Sequence, residues 1–359
     1  MGTSQNTVSS VSSTNDRINV NHFLSAVVLS RLSSVLLFTP ITGFGISASD
    51  RILGETAATL IIMLISVPLY REYQKHGNFP LFSSKGVKIV SIILTAYFAL
   101  WLVLGGAIFS YFASTQLLEG DISQSFFILT AIIAIYGSYV GAQSIGRCSL
   151  LLFTSSGIGI IVMLILSMGN FTQYNLTPAL QSKTFSILEY TAFSVVSSTE
   201  IIAGCFMAGE TQAFKGRNIR VWYGISLFFS FVLPLFSAGL FGDLANSLPF
   251  PTFKITSSGN YVLFSRLDAV FSFIWIAAFC VKITLIFYAM KICLSRVFGK
   301  TNIGITLILP VTGLVLLSLF FATRISIVPD KIILLILLIS FLFALTAVYL
   351  PIFRRKKVK

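Results

Sequence analysis

The stretch Thr184–Ala208 reads T-F-S-I-L-E-Y-T-A-F-S-V-V-S-S-T-E-I-I-A-G-C-F-M-A, and its length and apolar content predict a helix that crosses a bilayer. Its middle carries Ser197, Ser198, Thr199 and the carboxylate Glu200. A carboxylate at mid-membrane costs roughly 2.5–3.5 kcal/mol on insertion scales, so it needs a cation, a proton or water in a cavity. The three hydroxyl residues can hydrogen-bond neighbouring backbone groups and let the helix open at that depth. Glu200 and the three residues before it are therefore candidate site residues. The competing reading is that these polar side chains turn into a helix bundle for packing alone.

Composition supports a membrane chain. Of 359 residues, 55% are hydrophobic, only 10% are charged and 34 are Phe, a balance that a water-soluble core could not bury. Cys148, Cys205, Cys280 and Cys293 have no short ligand spacing and lie in or beside apolar runs, which points away from a zinc site or a disulfide framework. No cofactor is expected, and neither polar cluster offers a nucleophile and base for an enzyme. Residues 1–17 are polar and rich in Ser and Thr, and read as a disordered cytoplasmic tail. Residues 353–359 form a basic cytoplasmic tail, and residues 18–352 a single membrane domain.

That domain holds ten apolar segments, at about 22–46, 52–70, 87–113, 125–142, 149–168, 184–208, 219–241, 264–290, 303–321 and 327–350. The fold class expected is an all-α integral membrane protein of ten transmembrane helices. The longest connection, 242–263, has two prolines and several apolar residues and is expected to lie on or dip into the protein surface at the membrane edge. With the amino terminus inside, seventeen Lys and Arg fall on inner loops and tails and six outside. Arg31 and Lys282 lie within spans, which completes the 25. This bias places both termini in the cytoplasm, and it accounts for the net charge of +13 through membrane lipid, with no nucleic acid as partner.

Ten spans divide into two halves of five, about 22–168 and 184–350, which must enter the membrane in opposite orientations. That is the arithmetic of a five-plus-five inverted repeat, in which discontinuous helices 1 and 6 frame a midplane site. The matching stretches are R-L-S-S-V-L-L-F-T-P, Arg31 to Pro40, and V-V-S-S-T-E, Val195 to Glu200. A guanidinium inside a span needs carboxylates, carbonyls or water, so Arg31 is expected to meet Glu200 directly or through a ligand, unless it snorkels to the interface. Ser33 and Ser34 join it. Tyr97 and Trp101, four apart in the third segment, share a helical face and can wall a pocket or simply pack. Gly137 and Gly141 are expected at a close helix contact. In the eighth segment Arg266 and Asp268 read as interface anchors. Lys282, deep in that segment, can bind a carboxylate or stand in for a coupling cation, so Glu200 and Lys282 form the candidate coupling pair. Trp275 shares approximately the face of Lys282.

The segment P-F-P-T-F-K-I-T-S-S-G-N-Y-V-L-F-S-R-L-D-A-V-F-S-F-I-W-I-A-A-F-C-V-K-I-T-L-I-F-Y-A-M, Pro249 to Met290, resembles the spore-germination permease family. These are the integral-membrane B subunits of endospore germinant receptors, placed with the amino acid, polyamine and organocation transporters. Arg266, Asp268, Trp275, Lys282 and Tyr288 carry the resemblance, with Glu200 following a helix break. It covers essentially the membrane region. One departure stands out: the family superfold has G-S-G four residues before a proline in span 1, and this chain has Ser33, Ser34 and Val35 before Pro40, with no glycine to open the backbone. The resemblance implies a membrane subunit in the spore inner membrane that binds a small nutrient such as an amino acid and signals germination. Its implied partners are an A subunit and a C-subunit lipoprotein. The alternatives are a secondary transporter of amino acids or small amines, and an assembly subunit with a degenerate pocket.

Overall fold

The computed structural model describes residues 17–37, 45–76, 84–117, 122–176, 180–258, 267–298, 310–314, 317 and 330–356. In chain order the helices are α1 (Val20–Leu37), α2 (Ala48–His76), α3 (Ser84–Phe112), α4 (Ile122–Val140), α5 (Ala142–Ser167), α6 (Thr184–Val196), α7 (Glu200–Ala208), α8 (Gly216–Phe241), the short α9 (Pro251–Lys254), α10 (Leu267–Phe298) and α11 (Asp330–Lys356). Among the described residues seven helical stretches are long and apolar enough to cross a membrane, with α6 and α7 counted as one. These are seven of the ten expected segments. Phe127–Val140 and Leu334–Tyr349 are shorter apolar helices, and most of segment 303–321 lies outside the described residues, as do Pro40, Arg266 and residues 1–16.

Burial sorts the helices into a centre and a rim. In α1 every residue except Asn21 and His22 is buried, and the most apolar 18-residue stretches of Thr184–Ala208 and Phe271–Phe298 have 94% and 83% of their residues buried, against 28% for that of Ala142–Asn170. A helix apolar and covered on all sides belongs to the core of a bundle. The rim exposes Leu64, Ile92, Ile132, Leu151, Ile158 and Ile165 among many others, a surface that only lipid or another protein can cover. The chain is an all-α, multi-pass membrane protein. α1 packs on α5, α8, α10 and α7, α2 packs on α8, α6 and α7, and α10 packs on α3, α4 and α5.

Local chemistry sets the helix ends. Asn19 Oδ1 accepts the backbone N–H of Asn21 at 2.9 Å and starts α1, as an N-cap side chain does. Ser47 Oγ accepts from Asp50 N at 3.2 Å at the start of α2. The Asp50 carboxylate accepts from Leu180 N at 2.7 Å and Ser182 N at 2.8 Å, which fixes the connection before α6 onto α2. Gly137 and Gly141 differ in role. A Cβ on Gly137 would lie 2.9 Å from Thr284 Cγ2 of α10, so that glycine does allow a close helix contact, whereas Gly141 has φ +109 and separates α4 from α5.

Among its described residues the connection after α8 runs as short turns around α9 and dips into the protein surface, with Leu244 exposed and Phe250 and Ile255 completely buried. Phe250 meets Phe112 edge-on at 5.1 Å, Phe253 meets Trp275 at 5.5 Å and Phe112 stacks on Trp275 at 5.2 Å. Truncating a buried Phe costs about 3–5 kcal/mol. Phe250→Ala should therefore lower the thermal unfolding midpoint in nanodiscs, while Phe228→Ala, on an exposed face of α8, should change stability by less than about 0.5 kcal/mol.

Candidate functional site

The helix that begins at Thr184 stops at Val196 and resumes at Glu200. Across Ser197–Thr199 the backbone turns tightly: Ser198 N donates to Val195 O at 3.1 Å and Thr199 N to Ser197 O at 3.0 Å. The carbonyls turned out of the helix find side chains. Ser194 O accepts from Arg31 Nη1 at 3.2 Å and Ser198 Oγ at 3.0 Å, and Ser197 O accepts from Lys282 Nζ at 2.9 Å and Ser34 Oγ at 3.3 Å. A break inside a membrane is tolerable only where such partners replace the helical bonds.

Two buried ion pairs flank the break. Arg31 of α1 pairs with Glu55 of α2, both side chains essentially inaccessible, and also donates to Ser198 Oγ and Ser194 Oγ at 2.9 Å and to Thr59 Oγ1 at 3.2 Å. Glu55 further accepts from Ser194 Oγ at 2.9 Å and Tyr190 Oη at 3.2 Å. On the other side Lys282 of α10 lies 3.4 Å from Glu200 Oε2 and donates to Ser34 Oγ at 2.7 Å. Ser30 Oγ donates to the same carboxylate oxygen at 3.3 Å, and Tyr70 Oη donates to the Glu200 carbonyl at 2.6 Å. Two cations face two anions, so the network is neutral and each charge has several hydrogen-bond partners, the condition under which ions persist in a low-dielectric interior.

Some polar atoms at the break are left over. Thr199 Oγ1, Glu200 Oε1 and Ser33 Oγ are buried with no hydrogen-bond partner among the described residues. Buried polar groups are nearly always paired, so free acceptors beside a helix break mark a place for a ligand or water. Among the described residues no group of three or more His, Cys, Asp or Glu is placed to hold a metal ion.

The spore germination protein family matches residues 17–326. The chain belongs to that family. No curated protein matches it in sequence. Among solved structures it is similar to a Na+-coupled sialic acid symporter in a substrate-bound, outward-open state, with a TM-score of 0.59 and 12% identity over 91% of this chain and 76% of that one. At that identity the likeness concerns the fold alone. Family membership makes this a germination protein of the membrane, with the architecture of a secondary transporter.

Within this germination protein the expected site residues divide. Arg31, Ser34, Ser194, Ser197, Ser198, Glu200 and Lys282 meet in one network. Arg31, however, takes Glu55 and not Glu200 as its carboxylate, and Lys282 from α10 takes Glu200. α1 is also continuous from Val20 to Leu37; the rest of the stretch expected to be interrupted, residues 38–40, lies outside the described residues. Without glycines the Ser33–Ser34 backbone remains helical, and Ser34 Oγ bonds back toward Ser30 O at 3.4 Å. Tyr97 and Trp101 are buried on α3. Trp275 is two turns from Lys282 and belongs to the aromatic cluster with Phe112, Phe250 and Phe253. Sequence reasoning missed Glu55, although a carboxylate in G-E-T-A-A-T within the second apolar segment gives the same signal as Glu200. Tyr70, Tyr190 and Ser194 gave no signal that separates them from core residues.

Breaking one buried pair leaves an uncompensated charge and costs about 3–5 kcal/mol. Glu55→Gln should destabilise the folded chain by that order, and Arg31→Met should then cost less in the Glu55→Gln background than alone. Double-mutant cycles on thermal stability should give couplings of roughly 1 kcal/mol or more for Arg31 with Glu55 and for Lys282 with Glu200. A larger coupling between Arg31 and Glu200 than within either pair would contradict this pairing.

Proposed function

We propose that this chain is the membrane subunit of a spore germinant receptor that binds a small nutrient such as an amino acid at the break between α6 and α7. The unpartnered Thr199 Oγ1 and Glu200 Oε1 carry this reading: a hydroxyl and a carboxylate oxygen, fixed at the start of a half-helix, beside the backbone turn that interrupts the buried middle of the Thr184–Ala208 span. Glu200 Oε1 and Thr199 suit a ligand ammonium. Ser33 and Ser34 on α1, Ser197 and Ser198 at the break, and Tyr97 and Trp101 on α3 are the remaining contacts in this reading. Arg31 holds the break in shape through Ser194 O and Ser198 Oγ, while Trp275 closes the aromatic end of the bundle.

Lys282 takes the part of a coupling cation. Its ammonium is held by a hydroxyl, a backbone carbonyl and a carboxylate, the hard oxygen donors that a free metal cation would otherwise use. Binding is then expected without any requirement for sodium. The topology completing this reading is ten spans in a five-plus-five inverted repeat, residues 18–352 forming one domain with halves about 22–168 and 184–350. Both termini, including the 1–17 and 353–359 tails, face the cytoplasm from the spore inner membrane. The A subunit and the C-subunit lipoprotein of the receptor are the expected partners, receiving the conformational change of the broken helix.

The fold shared with a symporter supports a second reading, secondary transport of amino acids or small amines through the same site. Purified chain reconstituted in proteoliposomes separates the two: the receptor reading expects saturable binding of a nutrient with no stoichiometric flux, and sustained uptake would favour the transporter. In either case Ser34→Leu and Thr199→Leu should weaken binding at least about tenfold, a change of roughly 1.4 kcal/mol, with the unfolding midpoint moved far less. Unchanged affinity in both folded variants removes the break as the binding site.

A further inference from the structure

Arg51, in the first turn of α2, is a second buried guanidinium, and among the described residues no anion pairs with it. The residue is 8% exposed, its Nε has no hydrogen-bond partner, and its guanidinium makes no hydrogen bond or ion pair among the described residues. The preceding carboxylate, Asp50, is already committed to Leu180 N and Ser182 N. A largely buried guanidinium whose Nε has no partner favours an anion that can reach it.

Arg51 lines a cavity of 530 Å³ with Ser47, Gln181, Ser182, Asp243 and Asn246, a size within the roughly 300–1,000 Å³ range of small-molecule sites. Gln181, Asp243 and Asn246 are exposed, so the cavity reaches the surface at the end of the bundle where α1 stops and α2 begins. On its inner side Arg51 borders a small cavity of 20 Å³ together with Tyr190, Pro234, Ser237, Pro251 and Thr252. Tyr190 donates to Glu55, so the inner wall of this chamber adjoins the central charge network.

The geometry points to a ligand site at Arg51 for the carboxylate of a small zwitterionic solute, distinct from the helix break and nearer the surface. The guanidinium fork matches a carboxylate through two parallel N–H donors. Asp243, across the same cavity, provides the opposite charge that a ligand ammonium requires, and Ser47, Gln181 and Asn246 supply polar edges between them. A free amino acid presents both groups at that scale. A bare amine would meet the guanidinium with like charge.

A labelling-protection assay tests this on the full chain in lipid nanodiscs. The exposed Cys148 is replaced by Ser, and Gln181→Cys reports the cavity through its rate of reaction with sulfonatoethyl methanethiosulfonate. Propionate and L-alanine should slow the reaction, and propylamine should not. Arg51→Gln should raise the half-protecting concentration of propionate roughly tenfold or more, the size of a lost charge-assisted hydrogen bond, and Arg51→Lys should fall between. Ser34→Leu and Thr199→Leu, at the helix break, should leave the protection unchanged, so failure there is separable from failure here. Equal protection by propylamine, protection by neither carboxylate, or an Arg51→Lys chain that protects as well as the parent would each overturn the proposal. Should Arg51→Gln not fold, the propionate-to-propylamine comparison in the parent reporter decides it.

Discussion

Four charges with no access to water, Arg31, Glu55, Glu200 and Lys282, lie on four separate elements, and the centre of this protein is arranged so that none of them is alone. Removing any one strands its partner in a low-dielectric interior, where the desolvation of an ion is not recovered by packing. That requirement fixes more than two contacts. It holds α1 against α2 through Arg31 and Glu55, and α10 against α7 through Lys282 and Glu200. It also holds the two halves of the Thr184–Ala208 span to α1 through Ser194, Ser197 and Ser198. The complete burial of α1 follows: its polar residues face partners on several sides, so no stripe of it can be left to lipid.

The break in that span and the continuity of α1 share one cause. A membrane helix opens where carbonyl groups released from the helix acquire new donors. At Ser194 and Ser197 those donors are the long side chains of Arg31 and Lys282, which arrive from neighbouring helices and need no change in their own backbone. α1 supplies the cation and stays regular, and α6–α7 accepts it and breaks. Over Val20–Leu37 α1 thus stays closed while the polar centre is kept, because side-chain reach replaces backbone exposure.

Much of this was legible in the residues. Glu200 and Lys282 stand out as charges inside apolar runs, and V-V-S-S-T-E marks its own interruption by three consecutive hydroxyl residues. The family was legible from Pro249 to Met290. Partner choice was not legible: Arg31 pairs with Glu55 and Lys282 with Glu200, a fact of helix packing that no spacing along the chain encodes. Phe250 and Phe253 were equally opaque, since a proline-rich connection reads as surface until Phe112 and Trp275 are seen to form the cavity wall it fills. Trp275 itself shares a helical face with Lys282, yet two turns of α10 carry it from the charges to the aromatic cluster.

A balanced network constrains what a ligand can do. Since two cations already neutralise two anions, an incoming ammonium gains most at the oxygen that is not engaged, Glu200 Oε1, and its charge there competes with Lys282 for the same carboxylate. Any shift of Lys282 away from Glu200 loosens its hold on Ser197 O and Ser34 Oγ, which are the bonds that set the angle between α6, α7 and α1. In the proposed reading, occupancy of one carboxylate would thus be converted into freedom of the break, while Arg31 and Glu55 keep α6 anchored on α2. A ligand without a cationic group would leave Lys282 in place and have no such lever, so recognition and movement would depend on the same charge.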